Sequence, residues 1–318
     1  MSKLILITGA SGLIGSQLQT ALKQQGYEVA TLNRSDKNSP FYYDSAEKRV
    51  HLSEASPLYA VINLAGPSIA DGRWSPARKR EILESRRDLT LALSKALAAA
   101  EHKPELYLSA SAIGFYGPSL QTENANSDDS SAFDESSKAG SDFLADVATQ
   151  WEAATRAARE AQITTLHLRF GVVLSTHGGV LGKLLLPFKF CAGGRLGNGQ
   201  QLMSWIALPD ALQIIGKLVE QPSIAQSLQS EEGGGALNLV TDHAVSNAQF
   251  TAALGKALKR PTPFPLPEAL INVAFGEMGR TLLLGSSNVR SSKLDELGLR
   301  PELQSIDNAV AALVDQRL

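Results

Sequence analysis

Gly9, Gly12 and Gly15 stand in the string LILITGASGLIGSQL (residues 4–18), a G-x-x-G-x-x-G spacing between an apolar run and a helical pattern. A pyrophosphate needs backbone that approaches without a Cβ in the way, and free amides at a helix N-terminus; a strand–loop–helix order supplies both. The candidate contacts are Gly9, Ser11, Gly12, Leu13, Ile14 and Gly15. The next strand pattern closes on Asn33-Arg34-Ser35. A carboxylate there would accept from a ribose 2′-hydroxyl and select NAD(H), but no acid occupies that place and Asp36 follows the arginine. Asn33 and Arg34 therefore favour NADP(H) over NAD(H), with the Arg34 guanidinium forked onto a 2′-phosphate. The plain alternative is a solvated arginine after a strand.

Arg86 raises a different question. The pattern over 75–100 reads as a helix, and Ile82, Arg86, Leu89, Leu93 and Leu97 fall on one face of it. A guanidinium on an apolar face needs an anionic or carbonyl partner, because burying it alone is costly. A cofactor and a structural ion pair are both open. Glu81, in the same string KREILESR (79–86), is a second candidate for that neighbourhood.

The elements that must position these residues alternate. Strands are predicted at 4–8, 28–33, 41–44, 60–64, 106–110 and 165–173, and helices at 13–24, 75–100 and 142–161, which calls for a parallel sheet with helices on both faces. After residue 174 the chain turns glycine-rich and irregular through 203. A helix at 208–220 and a strand at 236–241 follow, then helices at 246–258, 267–284 and 305–316 beyond the proline cluster PTPFPLP. The expected organisation is a dinucleotide-binding domain from 1–174 plus about 206–241, and a smaller substrate lobe from 175–205 plus 242–318. The polar stretches 118–141 and 223–235 read as disordered, or, for the first, as a lid.

Composition narrows the partners. A chain of 318 residues with 43% hydrophobic and 19% charged residues is long enough for one large or two modest globular domains. Its net charge of -2 gives no reason to expect nucleic acid or an anionic membrane. The single cysteine, Cys191, allows no internal disulfide, and His51, His102, His167, His177 and His243 show no metal-ligand spacing. No apolar run approaches a membrane span, and the apolar start stops at Thr8-Gly9, short of a signal core. A cytoplasmic protein is expected.

The order TGASGLIG, NLAG (63–66), SASAIGFYG (109–117), LRFGVVL (168–174) resembles the extended, epimerase-like short-chain dehydrogenase/reductases. A closer resemblance is to their atypical group, epimerase-like proteins of poorly defined function, some labelled cell-division inhibitors. The shared strings are part of GxxRW ending at Trp74, KREILESR, FLADVATQWEAA (143–154), LLLPF (184–188), GNGQQLMSWI (197–206) and LLLGSSNV (282–289), and they cover essentially the whole chain. The resemblance implies a doubly wound, Rossmann-like α/β fold with a smaller α/β C-terminal lobe. It places Leu64, Ala65 and Gly66 by the cofactor's adenosine side, Ser109 in the cofactor site, and Arg169, Val172 and Val173 near the nicotinamide. It assigns Arg86 to the cofactor, where extended relatives carry an asparagine. It gives Arg73, Trp74, the turn Gly197-Asn198-Gly199-Gln200, and Ser204-Trp205 to the substrate, although Trp205 equally reads as a core aromatic. Relatives usually follow the Trp-Ile pair with histidine; here Ala207 stands instead. Extended relatives often dimerise through the helices at 75–100 and 142–161, so a homodimer is one expectation.

Ordinary members of that superfamily use a serine with a Y-x-x-x-K pair, the tyrosine passing a proton to or from the substrate oxygen. Ser111 matches the serine. Counting back from Glu152 puts Leu144 at the tyrosine and Ala148 at the lysine, and neither can transfer a proton. Tyr116 is the nearest phenol, though in relatives that tyrosine shapes the substrate pocket. Two functions follow: an NADP(H)-dependent oxidoreductase or epimerase-like enzyme on a small polar metabolite or sugar-nucleotide-like substrate, or a non-catalytic NADPH sensor.

Overall fold

A computed structural model describes residues 3–34, 36–119, 132–229 and 235–315. The chain begins with β1 (Leu4–Thr8), α1 (Leu13–Gln24) and β2 (Glu28–Thr31), followed by the hairpin β3 (Phe41–Asp44) and β4 (Arg49–Leu52). Then come β5 (Ala60–Asn63), α2 (Pro76–Ala99), β6 (Leu106–Ala112), a 3-10 turn at Ile113–Tyr116, α3 (Phe143–Ala153), α4 (Arg156–Glu160) and β7 (Thr164–Phe170). The second half runs β8 (Val172–Leu174), α5 (Gly179–Lys189), β9 (Leu202–Met203), β10 (Trp205–Ala207), α6 (Leu208–Glu220), α7 (Pro222–Ser227) and β11 (Gly235–Leu239). It closes with β12 (Val245–Ser246), α8 (Asn247–Leu258), α9 (Glu268–Leu282) and α10 (Ile306–Asp315).

The main sheet has six strands in the order β11-β7-β6-β5-β1-β2, every neighbouring pair parallel. Parallel strands need both faces covered, which is why these strands are nearly continuously apolar. Ile5, Ile7 and Ile62 point into one core with Leu18, Leu22, Ile214 and Leu218, while Leu6 and Val61 point into the other with Leu89, Leu93 and Leu97. The alternation of neighbours along β1 decides which helix each side chain meets. The sheet is thus doubly wound and Rossmann-like, with a C-terminal lobe beside it. A third core, built from α5, α8 and α10 around Trp205, holds that lobe together.

Several predicted elements change form. The strand at 41–44 is not in the main sheet: it pairs antiparallel with β4, whose short RVHL pattern gives little signal, and Asp44 closes the turn by accepting from Ala46 and Glu47 amides. The predicted strand 165–173 divides at Gly171, where a Cβ would meet Ser204 O at 2.9 Å. The predicted helix 142–161 breaks after Ala153, where the Thr155 hydroxyl turns back to the Glu152 carbonyl at 2.8 Å. The glycine-rich stretch after 174 contains α5, held in place by Leu181, Leu185 and Phe188 although it carries Pro187. The helix predicted at 267–284 bends at Gly276, with φ 60° and ψ −136°. The polar stretch from 223 begins inside α7; residues 120–131, in the other stretch read as lid or disorder, lie outside the described residues.

The turn before α10 is held to α6 by a carboxylate. Asp210, buried in the first turn of α6, accepts from the amides of Glu302 and Leu303, each at 3.2 Å. Asp210→Ala removes the charged acceptor of both amides and is expected to cost about 1–3 kcal/mol, read as a lower urea midpoint at unchanged slope.

Candidate functional site

The glycine loop leaves β1 and enters α1. Gly9 takes φ +67°, and a Cβ there would sit 2.6 Å from the Leu64 carbonyl oxygen at the end of β5. A Cβ on Gly15 would collide with the Gly9 carbonyl. Both glycines are therefore demanded by the packing of the loop on itself and on β5. Gly12 differs: its φ is −75°, and a Cβ would meet only the Gly9 carbonyl, at 3.2 Å. No side chain caps α1, and Ser16 N is the first amide to reach back, to Gly12 O at 3.0 Å. By helix geometry the amides of Leu13, Ile14 and Gly15 have no intrahelical acceptor. The loop offers an anion a cradle with donors and no side chain in front of it. The start of α5 lies against it, because Gly178 and Gly179 abut the Leu13 side chain.

Beyond β2, the Asn33 backbone is clasped by Phe41 and Tyr43, and its side chain accepts from Asp36 N at 3.0 Å. Arg34 is exposed on this turn and bonds to no other described residue. The Asp36 carboxylate is turned to Asn38 N. A free guanidinium with no acid opposing it suits a phosphate.

Arg86 is 9% exposed. It donates to the carbonyls of Ile82 (3.0 Å) and Pro67 (2.8 Å), lies over the Trp151 ring at 5.2 Å, and presses against Gly66, where a Cβ would come within 3.0 Å of Cζ. No carboxylate partners it among the described residues, so the ion pair that the sequence left open is not the one used. Burial, with the neighbouring Arg78 charge, draws its pKa down to about 10. Glu81 is exposed and occupied by Arg78 at 2.8 Å.

At the C-terminal ends of β6 and β7 lies a polar network. The Ser111 hydroxyl donates to Glu152 Oε1 at 2.7 Å. Arg169 grips both Glu152 oxygens, Nε to Oε1 and Nη2 to Oε2, each at 2.8 Å. Its Nη1 donates to the Tyr116 hydroxyl at 2.9 Å, which in turn donates to Asn238 Oδ1 at 2.8 Å. The guanidinium also lies 3.5 Å from the Phe115 ring centroid. Burial opposes charge on Glu152, yet Arg169, His167 and Ser111 hold its carboxyl below the usual range. Burial pushes His167 down, and its Nε2 meets Thr155 at 2.9 Å. Burial likewise raises Tyr116, to about 12.

The other expected residues lie as follows. The Tyr116 hydroxyl donates to Asn238, and burial keeps the phenol protonated at neutral pH. Arg169, at the end of β7, has its guanidinium nitrogens on Glu152 and Tyr116. Ser109 is fully buried in the sheet, across from Asn63. Trp205 is 0% exposed and packs inside the lobe core. Trp74 is mostly buried, its Nε1 on the Ile69 carbonyl at 2.8 Å. Arg73 is exposed and donates to the Val273 carbonyl at 2.7 Å. Gln200 is exposed in its turn, where its amide donates to Asn198. Val172 and Val173 lie in β8, paired with Trp205 and Ile206. Glu152 and Asn238 were missed as network residues; the signal was a polar residue on an otherwise buried helix face and strand.

The profile of the NAD dependent epimerase/dehydratase family matches residues 5–229, and a domain of unknown function, DUF1731, matches 266–313. The chain belongs to the NAD-dependent epimerase/dehydratase family. It is an epimerase-like, NAD(P)-binding protein of the atypical short-chain dehydrogenase/reductase group. An epimerase family protein of Mycobacterium bovis is 36% identical over 308 residues, 96% of either chain. YfhF, an epimerase family protein of Bacillus subtilis, is 32% identical over 318 residues, 98% of either chain. The crystal structure of the human epimerase family protein SDR39U1 with NADPH superposes with a TM-score of 0.83 at 29% identity, covering 98% of this chain and 99% of that one. A UDP-glucose 4-epimerase of Thermotoga maritima, at 17% identity and a TM-score of 0.72 over 98% and 97% of the chains, shares the fold. The family's Y-x-x-x-K string occurs nowhere in this sequence. Among the described residues no helix is long and apolar enough to cross a membrane, and no cluster of metal-ligating side chains forms.

Proposed function

We infer that this chain binds NADP(H) at the glycine loop and serves as an oxidoreductase or epimerase-like enzyme. The observation that carries the reading is Arg34, exposed at the end of β2 with no carboxylate competing for the cofactor's ribose. The amides of Leu13, Ile14 and Gly15 would hold the pyrophosphate, Gly12 would admit it, and Arg34 would hold the 2′-phosphate. Leu64, Ala65 and Gly66 would border the adenosine, with Arg86 behind them as a buried positive charge. Bound there, the nicotinamide supplies or takes a hydride. The protein's part is to position a substrate at the ends of β6 and β8. The dinucleotide domain in this reading comprises 1–174 and 206–241, and the substrate lobe 175–205 and 242–318. The similarity to a human protein crystallised with NADPH supports the choice of cofactor.

A second reading, an NADPH-binding sensor, has its own support. Leu144 and Ala148 occupy the positions of the missing pair, and the Tyr116 proton is committed.

Fluorescence titration with NADPH and with NADH tests the cofactor. NADPH should bind at least about tenfold more tightly, and Arg34→Ala should lose roughly tenfold to a hundredfold on NADPH and little on NADH, as expected for one charge-assisted contact. Equal affinities in the wild type would overturn the 2′-phosphate assignment; binding of neither would overturn the function.

A further inference from the structure

Five large apolar side chains of the C-terminal lobe stand largely in water. Leu186 on α5 is 64% exposed, and Phe190, one turn later at the helix end, is 77% exposed. Phe264, in the proline-rich approach to α9, is 64% exposed, and Leu270 and Val273, three positions apart on α9, are 56% and 74% exposed. A single exposed apolar residue needs no explanation, but these are neighbours. Just past Phe190, the Phe264 amide donates to the Gly193 carbonyl at 3.4 Å and the Leu266 amide to the Arg195 carbonyl at 2.9 Å. At the other end of α5, Lys183 holds Asp71 at 3.0 Å, and Arg73 donates to the Val273 carbonyl at 2.7 Å. The two helices are tied at both ends, and the five side chains fall within one region of the surface.

That region is basic. Residues 179–196 carry Lys183, Lys189 and Arg195 and no acid, and residues 259–267 carry Lys259 and Arg260 and no acid; all five cations are exposed. Arg260 Nε donates to the Lys189 carbonyl at 3.1 Å, which brings the two basic stretches together. Of the nearby acids, Asp71 is held by Lys183 and Glu277 by Lys79, and Glu268 stands in the first turn of α9. A chain whose net charge is -2 therefore concentrates positive charge where it exposes its apolar side chains.

The charge decides between occupants. A two-fold pair of copies would set the same patch against itself, cations facing cations. A protein partner would need pockets for its anchors, whereas side chains three-quarters exposed stand clear of their neighbours and offer tips. A lipid surface needs no pocket: apolar tips enter the acyl boundary while Lys and Arg, on long stems, stay with the headgroups. We propose that this face docks reversibly on an anionic lipid surface, with Leu186, Phe190 and Phe264 inserted and Lys189, Arg195 and Arg260 on the headgroups.

The test is co-sedimentation of the full-length chain with vesicles of phosphatidylcholine, and with vesicles in which phosphatidylglycerol makes up about a third of the lipid. The wild type should bind the anionic vesicles at least about tenfold more tightly than the neutral ones, and added salt should release it. Phe190→Ser/Phe264→Ser should weaken that binding by about tenfold or more, and so should Lys189→Glu/Arg260→Glu. All four side chains are exposed, so the thermal midpoints of both variants should stay within a few degrees of the wild type. No binding to the anionic vesicles, equal binding to the neutral ones, or unchanged binding in the phenylalanine variant overturns the proposal. So does a dimer in sedimentation velocity that the phenylalanine variant dissociates while vesicles stay unbound, because the face would then serve a second copy.

Discussion

Glu152→Ala is expected to destabilise the protein by about 3–5 kcal/mol, the cost of leaving one partner of a buried ion pair unanswered. Arg169 is 5% exposed, and in the variant its guanidinium would keep only the Tyr116 hydroxyl and the Phe115 face. Ser111 would lose its acceptor as well. The measurement is chemical denaturation of wild type, Glu152→Ala and the double variant Glu152→Ala/Arg169→Met. The double variant should recover part of the loss, because replacing both charges by apolar groups removes the orphan. A loss below about 1 kcal/mol in the single variant, the range of exposed pairs, would show that the pair is open to solvent.

The same cluster sets an acid limit on stability. His167 is buried and its pKa is lowered, so the unfolded chain binds the proton more readily than the folded one. Its contribution is complete above the unfolded value of about 6.5 and falls as the pH drops below that, by up to about 1.4 kcal/mol per unit until the folded pKa is passed. Glu152 is also lowered, so its contribution is present above the ordinary carboxylate value of about 4.3 and fades as the pH falls toward the folded pKa. Both slopes have the same sign: stability should fall from pH 7 to pH 5 through His167, then further below pH 4 through Glu152. His167→Gln should flatten the upper part of that curve only.

The second large effect separates the glycines of the loop. Gly15→Ala forces a methyl into the Gly9 carbonyl and to within 2.9 Å of the Ala10 Cα, so the loop must open; a loss of about 1–3 kcal/mol or more is expected. Gly12→Ala meets a single carbonyl at 3.2 Å at an ordinary φ, and its thermal midpoint should move by only a few degrees. Its methyl would nonetheless stand where the pyrophosphate must approach, and NADPH affinity should fall about a hundredfold, near 2.7 kcal/mol. A folded Gly12→Ala that binds NADPH normally would sink the cradle and the function built on it.

The dinucleotide half of this protein was legible because its signals are local. Three glycines at fixed spacing, a strand before them and a helix after them lie between Leu4 and Gln24, and each dictates backbone shape without reference to distant chain. The missing acid after β2 is likewise a statement about neighbouring residues. The irregular stretch after 174 was misread for the same reason: α5 has four flanking or internal glycines and prolines against it, and it is stabilised by Leu181, Leu185 and Phe188 entering a core whose other side arrives from α8 and α10.

What the sequence by itself determined is the doubly wound sheet, the glycine loop between β1 and α1, and the absence of a Y-x-x-x-K pair. Only the tertiary structure decided how the remaining polar residues are used. Ser111 and Glu152 are 41 positions apart, Tyr116 and Asn238 are 122 apart, and nothing in either local string says they will meet. Charged and hydroxyl groups forced below the surface must find partners wherever the fold brings them. That requirement drew Arg169, Tyr116 and Ser111 into one network with Glu152 and Asn238, while the apolar Leu144 stands where family resemblance had led us to look for a proton donor.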